Sequence, residues 1–267
     1  MKTIVGIWVL TGVIFFHCKQ SERNFNPQKS TTHQMEKHEF PGDSLDFSKE
    51  YLLGKFNPAT HPDFVKIDSK HTTKTDVYLR KDAYDAFVKM HDAAQKDGVK
   101  LTIISATRNF SSQKSIWEAK WNGDRMVEGK NLATDVKDST ERARIILRFS
   151  SMPGTSRHHW GTDIDINDLN DSYFLSGSGK KEYEWLVSNA HKYGYYQPYT
   201  PKGTERPTGY EEEKWHWTYL PISKILVKQY PEKVKLSEIN GFKGAGTAIT
   251  IDVIKNYVLG INKACLP

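Results

Sequence analysis

Cysteine is nearly absent: 267 residues hold two, at positions 18 and 265. That excludes a disulfide framework and any zinc site built from four thiolates. No apolar run reaches the roughly 20 residues that a membrane span needs. There is no internal repeat of the kind that marks solenoids or propellers, and no dense basic block like those of nucleic-acid-binding arms. With 18 Gly and 11 Pro, the chain is neither collagen-like nor of low complexity. The charge surplus is modest, 38 Lys and Arg against 32 Asp and Glu, and is scattered along the chain. A pI near 9.0 therefore suits a partner carrying carboxylates or phosphates without pointing to nucleic acid. What is present is 37% hydrophobic and 12% aromatic residues. These are too many for a wholly disordered chain, and the mean hydropathy of -0.63 is too low for a multi-span membrane protein. A globular chain with large aromatic core residues remains.

The first 18 residues read MKTIVGIWVLTGVIFFHC. One cation, Lys2, precedes the uncharged run from Ile4 to Phe16, the pattern of an export signal over residues 1–17. Cys18 follows at once and resembles the lipid-attachment residue of bacterial lipoproteins. His17 and Phe15, however, stand where a small residue and Leu are usual, so ordinary cleavage and an uncleaved anchor stay open. Residues 18–44 carry few apolar side chains and read as a flexible tether. The folded domain is expected over 45–267, long enough to bury roughly 70% of its surface. Membrane contact is expected only through the N-terminal signal or lipid anchor.

Within that domain Ala83, Phe87, Met90 and Ala94 recur at helical spacing, with Gly98 suited to end the helix. Val99, Leu101 and Ile103 alternate as a strand running into Ser105-Ala106-Thr107-Arg108. Ser111 or Ser112 is the expected cap of a helix carrying Ile116, Trp117 and Trp121. Asp138 and Glu141 suggest a capping box. Residues 162–166 and 215–219 alternate as strands. Tyr183, Leu186, Val187, Ala190 and Tyr193 form a helical stripe before Gly194, and Pro221 opens another helix. Ile251, Ile254, Val258 and Ile261 suggest a last helix. Helices and short strands interleave without long βαβ repeats, so the expected class is α+β, with a small, mostly antiparallel sheet flanked by helices.

Of ten His, seven (His17, His33, His38, His61, His71, His91 and His191) lie in contexts that suit a solvated or packed role. The segment Ser156-Arg157-His158-His159-Trp160-Gly161-Thr162-Asp163-Ile164-Asp165 is different. In a strand over 162–166, Asp163 and Asp165 share one face and Ile164 and Ile166 the other. Two carboxylates and two His around a Gly turn fit either a metal site or a polar surface turn. In Glu211-Glu212-Glu213-Lys214-Trp215-His216-Trp217, the two Trp are expected to enter the core while His216 faces a cleft. Together the two segments supply three metal ligands and a nearby carboxylate base. Non-haem iron oxygenases also use two His and a carboxylate, but generally as a close His-x-Asp pair.

Ser156-x-His158-x-x-Gly161-x-x-x-Asp165 followed by Glu213-x-Trp215-His216 resembles the signature of the VanY-type D-alanyl-D-alanine carboxypeptidases, M15 zinc peptidases of the LAS superfamily. Ser105-Ala106-Thr107-Arg108, with Gln113 beyond it, resembles that family's Ser-Gly-Tyr-Arg…Gln segment. The resemblance implies a LAS, D-Ala-D-Ala peptidase-like fold and one Zn2+ per domain, held by His158, Asp165 and His216. It implies Glu213 as general base and acid, and Arg108 as the group that orients substrate or stabilises developing charge. Ser156 would hydrogen-bond in the same pocket with Gln113 in support. The planar fork of Arg108 would suit a free terminal carboxylate. The implied substrates are peptidoglycan stem peptides, cut at the terminal D-Ala-D-Ala or a related bond, and the implied location is the bacterial cell envelope. An L,D-carboxypeptidase, a muropeptide endopeptidase and a non-catalytic cell-wall-binding lipoprotein are the alternatives; Glu213 speaks against the last, since a structural zinc site needs no base. Asp163 stands where that family usually has Ala, Trp160 where Thr is frequent, and Thr107 where Tyr is usual. Asp163 is expected to orient a His ligand, the alternative being a competing ligand. His159 could replace His158, but the Gly spacing favours His158.

Overall fold

A computed structural model of the protein describes residues 45–267. The expected export signal, Cys18 and the tether of residues 18–44 lie outside the described residues. Eight α-helices are described: α1 Lys49–Leu52, α2 Lys81–Lys96, α3 Phe110–Trp121, α4 Leu132–Asp135, α5 Ser139–Ile146, α6 Gly177–Asn189, α7 Leu220–Lys233 and α8 Thr247–Ile251. The strands are β1 Phe64–Lys66, β2 Tyr78–Arg80, β3 Ile103–Ser105, β4 Asp163–Ile166, β5 Tyr195–Tyr196 and β6 His216–Tyr219. β1 and β2 form an antiparallel pair, and the other four make a sheet of order β3-β4-β6-β5 in which every pairing is antiparallel. The class is α+β, as the interleaved pattern predicts.

The alternation in β4 works as its sequence suggests. Ile164 and Ile166 pack with Phe87 and Met90 of α2 and Leu186 of α6. Burial of each such side chain contributes about 1.5–3 kcal/mol. That leaves Asp163 and Asp165 to the opposite side. A second apolar cluster gathers Trp117 of α3, Trp160 and Tyr230 of α7.

Several local expectations shift. α3 begins one turn early because Asn109 accepts from Ser112 N, so Asn109 rather than a serine is the cap. Asp138 does cap α5, through Glu141 N. β3 starts only at Ile103, although Leu101 is buried outside it. Val187 is 54% exposed, on the outer side of α6. The expected last helix is broken: Asp252 adopts a left-handed φ of 50°, which stops α8, and a π-helical turn resumes over Ile254–Val258. All four of its apolar residues are nonetheless buried.

Candidate active site

Two neighbouring strands and the turn before them assemble the centre. Antiparallel pairing of β4 with β6 sets Asp165 opposite His216 and Asp163 opposite Thr218. Upstream, His158 lies on a single 3-10 turn, Arg157–Trp160, that ends at Gly161. Gly161 has φ +71°, and a Cβ there would come within 2.3 Å of Phe64 Cε1, so only glycine lets the turn enter β4. Asp165 Oδ2 is then 3.4 Å from His158 Nε2, and Asp165 Oδ1 is 3.2 Å from His216 Nδ1. One ligand atom from each residue lies within 4.8 Å of the others, and all three residues are buried.

Acceptors on the far side of each ring fix which nitrogen is free. His158 Nδ1–H donates to Ala106 O at 2.8 Å, leaving the Nε2 lone pair toward Asp165. His216 Nε2–H donates to Asp163 Oδ2 at 2.9 Å, leaving Nδ1 inward. Asp163 is saturated: Arg157 Nε at 2.9 Å shares Oδ2, while Thr162 and Thr218 hydroxyls donate to Oδ1 at 2.7 and 2.8 Å. Arg157 Nη2 donates to the same Thr218 oxygen at 2.7 Å. Asp163 thus orients a ligand and has no lone pair directed at the centre. His159 is equally occupied. It donates from Nδ1 to Arg108 O, accepts at Nε2 from Gly154 N at 3.0 Å, and packs so tightly on Gly54 that a Cβ there would lie 2.4 Å from its ring.

The centre is densely charged and dry. Asp163, Asp165 and Glu213 are all buried, with the fully buried Arg157 and the ring of His216 among them. Burial raises Asp163, but Arg157 and His216 outweigh it and hold its carboxyl low. Burial also opposes charge on His216, yet hydrogen bonds to Asp163, Asp165 and Glu213 pull it well above the usual histidine range. Burial and Arg108 push His158 down, toward the neutral form a metal ligand needs. Asp165 Oδ1 faces His216 Nδ1 at 3.2 Å, a position where either the ring proton that these bonds favour or a bound cation would sit between them. A metal that displaces that proton would meet two imidazole nitrogens and a carboxylate converging in a desolvated centre, a donor set that suits a divalent cation of the zinc type.

A cavity of about 440 Å³ opens onto this centre and includes Ser156, Glu213 and Arg108 in its walls. Glu213 Oε2 is 3.2 Å from His216 Nδ1, and burial raises its carboxyl despite the pull of His216. Ser156 Oγ is buried with no partner. Arg108 is largely committed: Nε donates to Gln113 Oε1 at 3.1 Å, Nη1 donates to Ser105 Oγ at 2.7 Å, and Asp165 Oδ2 lies 3.6 Å away. Gln113 meanwhile donates to Ser151 O at 2.8 Å, so it braces Arg108 and does not touch Ser156. The backbone clamps the two motifs together, with Arg108 N donating to His158 O at 3.1 Å.

Aromatic residues of the cavity wall depart from the motif reading. Tyr199 packs against His216 with ring centroids 4.7 Å apart and the planes tilted by 58°, and Tyr210 packs on Tyr199. Both lie in the stretch leading up to Glu213, which has no clear periodicity. Trp215 was expected in the core beside Trp217, but β6 begins at His216, so the alternation does not reach it and Trp215 lines the cavity.

Comparison with known proteins gives concordant matches. The family profile for VanY, D-alanyl-D-alanine carboxypeptidase, matches residues 76–222. YodJ of Bacillus subtilis, which carries a provisional carboxypeptidase name, is 30% identical over 70% of this chain and 66% of its own length. The chain thus spans just under two thirds of that relative. A D-alanyl-D-alanine carboxypeptidase of Enterococcus faecalis is 27% identical over 80% of this chain and 72% of its own. The solved structure of the LdcB LD-carboxypeptidase aligns at 29% identity and a TM-score of 0.48, covering 68% of this chain and 81% of that one.

Proposed function

The chain belongs to the VanY family of D-alanyl-D-alanine carboxypeptidases, and from that premise we propose that it is a zinc peptidase removing the terminal D-Ala from peptidoglycan stem peptides that end in D-Ala-D-Ala. A metal donor set beside a separate buried carboxylate carries this reading: Glu213 is not needed to hold a cation, yet it sits 3.2 Å from the ligand nitrogen of His216. Zinc held by His158 Nε2, Asp165 and His216 Nδ1 would supply Lewis acidity, polarising the scissile carbonyl and acidifying water. Glu213 takes the proton of the attacking water on its carboxylate and returns it to the departing amine. Burial favours its protonated form, which suits a group that must hold that proton briefly. Arg108, fixed by Gln113 and Ser105, directs its remaining N–H groups at the oxygen that gains charge. Ser156 Oγ, buried and unpaired, offers a hydrogen bond to the peptide.

Mass spectrometry of defined muropeptides after incubation with the zinc-loaded protein tests this. Loss of one alanine from a pentapeptide stem is expected. Cleavage only of tetrapeptide stems would make it an L,D-enzyme, and cleavage of cross-links an endopeptidase. No cleavage of any of them would overturn the proposal. Substrates of this kind lie in the cell envelope. The N-terminal segment therefore serves as the export signal and Cys18 as the lipid-bearing tether, so a Cys18→Ala protein is expected to leave the membrane fraction after processing. Among the described residues no helix is long and apolar enough to cross a membrane.

A further inference from the structure

The wall of the cavity formed by α3 carries a second cation that the chemistry above does not use. Gln113, Ile116 and Lys120 all line the cavity, at i, i+3 and i+7 of α3, and therefore share one helix face. Lys120 is only partly exposed, and the one hydrogen bond of its ammonium among the described residues goes from Nζ to Ser150 Oγ. No carboxylate of the described residues pairs with it, although an ammonium carries three donors. A half-buried, unpaired cation inside a cavity is costly unless something anionic joins it.

We propose that Lys120, with Ser150 beside it, binds the C-terminal carboxylate of the substrate and sets the preference for a free chain end. This rests on the peptidase reading above. Arg108 is poorly placed for that duty, because Gln113, Ser105 and Asp165 hold it against the metal donor set, where the oxyanion forms. In a carboxypeptidase the terminal carboxylate lies one residue beyond the scissile carbonyl, about 3.5 Å further along the chain. Lys120 lies about 10 Å along α3 from Gln113, and long helical side chains lean toward the N-terminus, which brings its ammonium back over the preceding turn. Ile116 lies between the two polar positions and gives an apolar surface suited to the methyl of an alanine residue. The electrostatics agree: burial, then Arg125 and Arg108, lower Lys120 to about 8, while Glu213 raises it. It remains mainly protonated at neutral pH, and an incoming carboxylate would relieve the repulsion from its cationic neighbours.

Two measurements test the proposal. In the first, the zinc-loaded wild type, Lys120→Met and Lys120→Arg are given an acyl-D-Ala-D-Ala peptide and its C-terminal carboxamide. Wild type should prefer the acid by about ten- to a hundredfold in kcat/KM, the worth of one hydrogen bond to a charged group. In Lys120→Met the acid-to-amide ratio should fall toward one, mostly through KM, and Lys120→Arg should restore part of it. In the second, NMR titration compares N-acetyl-D-alanine with N-acetyl-D-alaninamide, a binding readout that needs no turnover. Lys120→Met should abolish the preference for the acid. A preference unchanged in Lys120→Met but lost in Arg108→Gln would overturn the assignment and give the duty to Arg108. No preference in wild type would overturn it as well. If no peptide is cut yet the binding preference depends on Lys120, the peptidase reading fails while the carboxylate site stands.

Discussion

Two polar layers meet back to back at His216, and they are built on opposite terms. Behind the ring, Asp163, Arg157, Thr162 and Thr218 exchange hydrogen bonds until both Asp163 oxygens are filled. In front of it, Asp165 Oδ1 and Ser156 Oγ are buried without partners, and Glu213 is held at a raised pKa by burial. Both layers are desolvated, so burial alone does not separate scaffold from site. The carboxylates do: both Asp163 oxygens are filled, whereas Asp165 Oδ1 is not. A buried polar group left unpaired costs about 1–3 kcal/mol; in front that cost falls on Asp165 Oδ1 and Ser156 Oγ, which line the cavity, and behind only on Arg157 Nη1.

The comparison predicts that substitutions in front lose chemistry and substitutions behind lose structure. The largest effect is expected for Glu213→Gln. Turnover should drop by about 10²–10⁴-fold, with zinc content by elemental analysis and thermal stability near wild type. A variant that keeps its turnover would place the base elsewhere, with Glu211 or Glu212 the nearest candidates in sequence. Next is Asp163→Ala, which leaves Arg157 buried without its countercharge. Denaturant unfolding should show a loss of about 3–5 kcal/mol, and zinc should bind about 10–100-fold more weakly because His216 loses the acceptor that fixes its ring. A stable Asp163→Ala protein would remove the distinction between the layers.

His159 gives a smaller effect, read on the wild type by pH. Burial takes its ring down from 6.5 to about 3. Between those values the unfolded chain takes up a proton that the folded chain refuses, so this contribution to stability is full above about pH 6.5 and is lost as pH falls toward 3. The slope is on the order of 1.4 kcal/mol per unit. The ring should show no NMR titration above about pH 4; a normal midpoint would mean that the Gly154 and Arg108 contacts are not maintained. The smallest effect is expected for Ser156→Ala. Its hydroxyl has no partner to lose, so stability should stay within about 0.5 kcal/mol, while kcat/KM falls by the worth of one hydrogen bond.

The motif residues were legible in the sequence because their spacing follows local geometry: a turn, a glycine, then alternate residues of a strand. His158, Asp165, Glu213 and His216 meet where that spacing suggests. Of the layer behind them, only Asp163 was legible, as the carboxylate expected to orient a His ligand. Arg157, between Ser156 and His158, carried no assignment, since its partners Asp163 and Thr218 are fixed by strand register and not by sequence distance. Lys120 follows Gln113 at i+7 and was open to discovery by helical periodicity, but a lysine on a helix usually means solvent. The broken last helix turned on Asp252 adopting a left-handed φ, which its apolar stripe does not reveal.

The pairing of β4 with β6 also governs when the centre can exist. Asp163 and His216 are 53 residues apart in sequence, and their strands are adjacent only once α6 and β5 have been accommodated between them in the chain. Contacts of such long sequence separation form late, because loop closure must precede any return from pairing. Ion capture by His158 and Asp165 alone would be weak, and the third ligand arrives with the fold. Metal affinity is therefore coupled to completion of the sheet, and a nascent or threaded chain carries the ligands without carrying the centre.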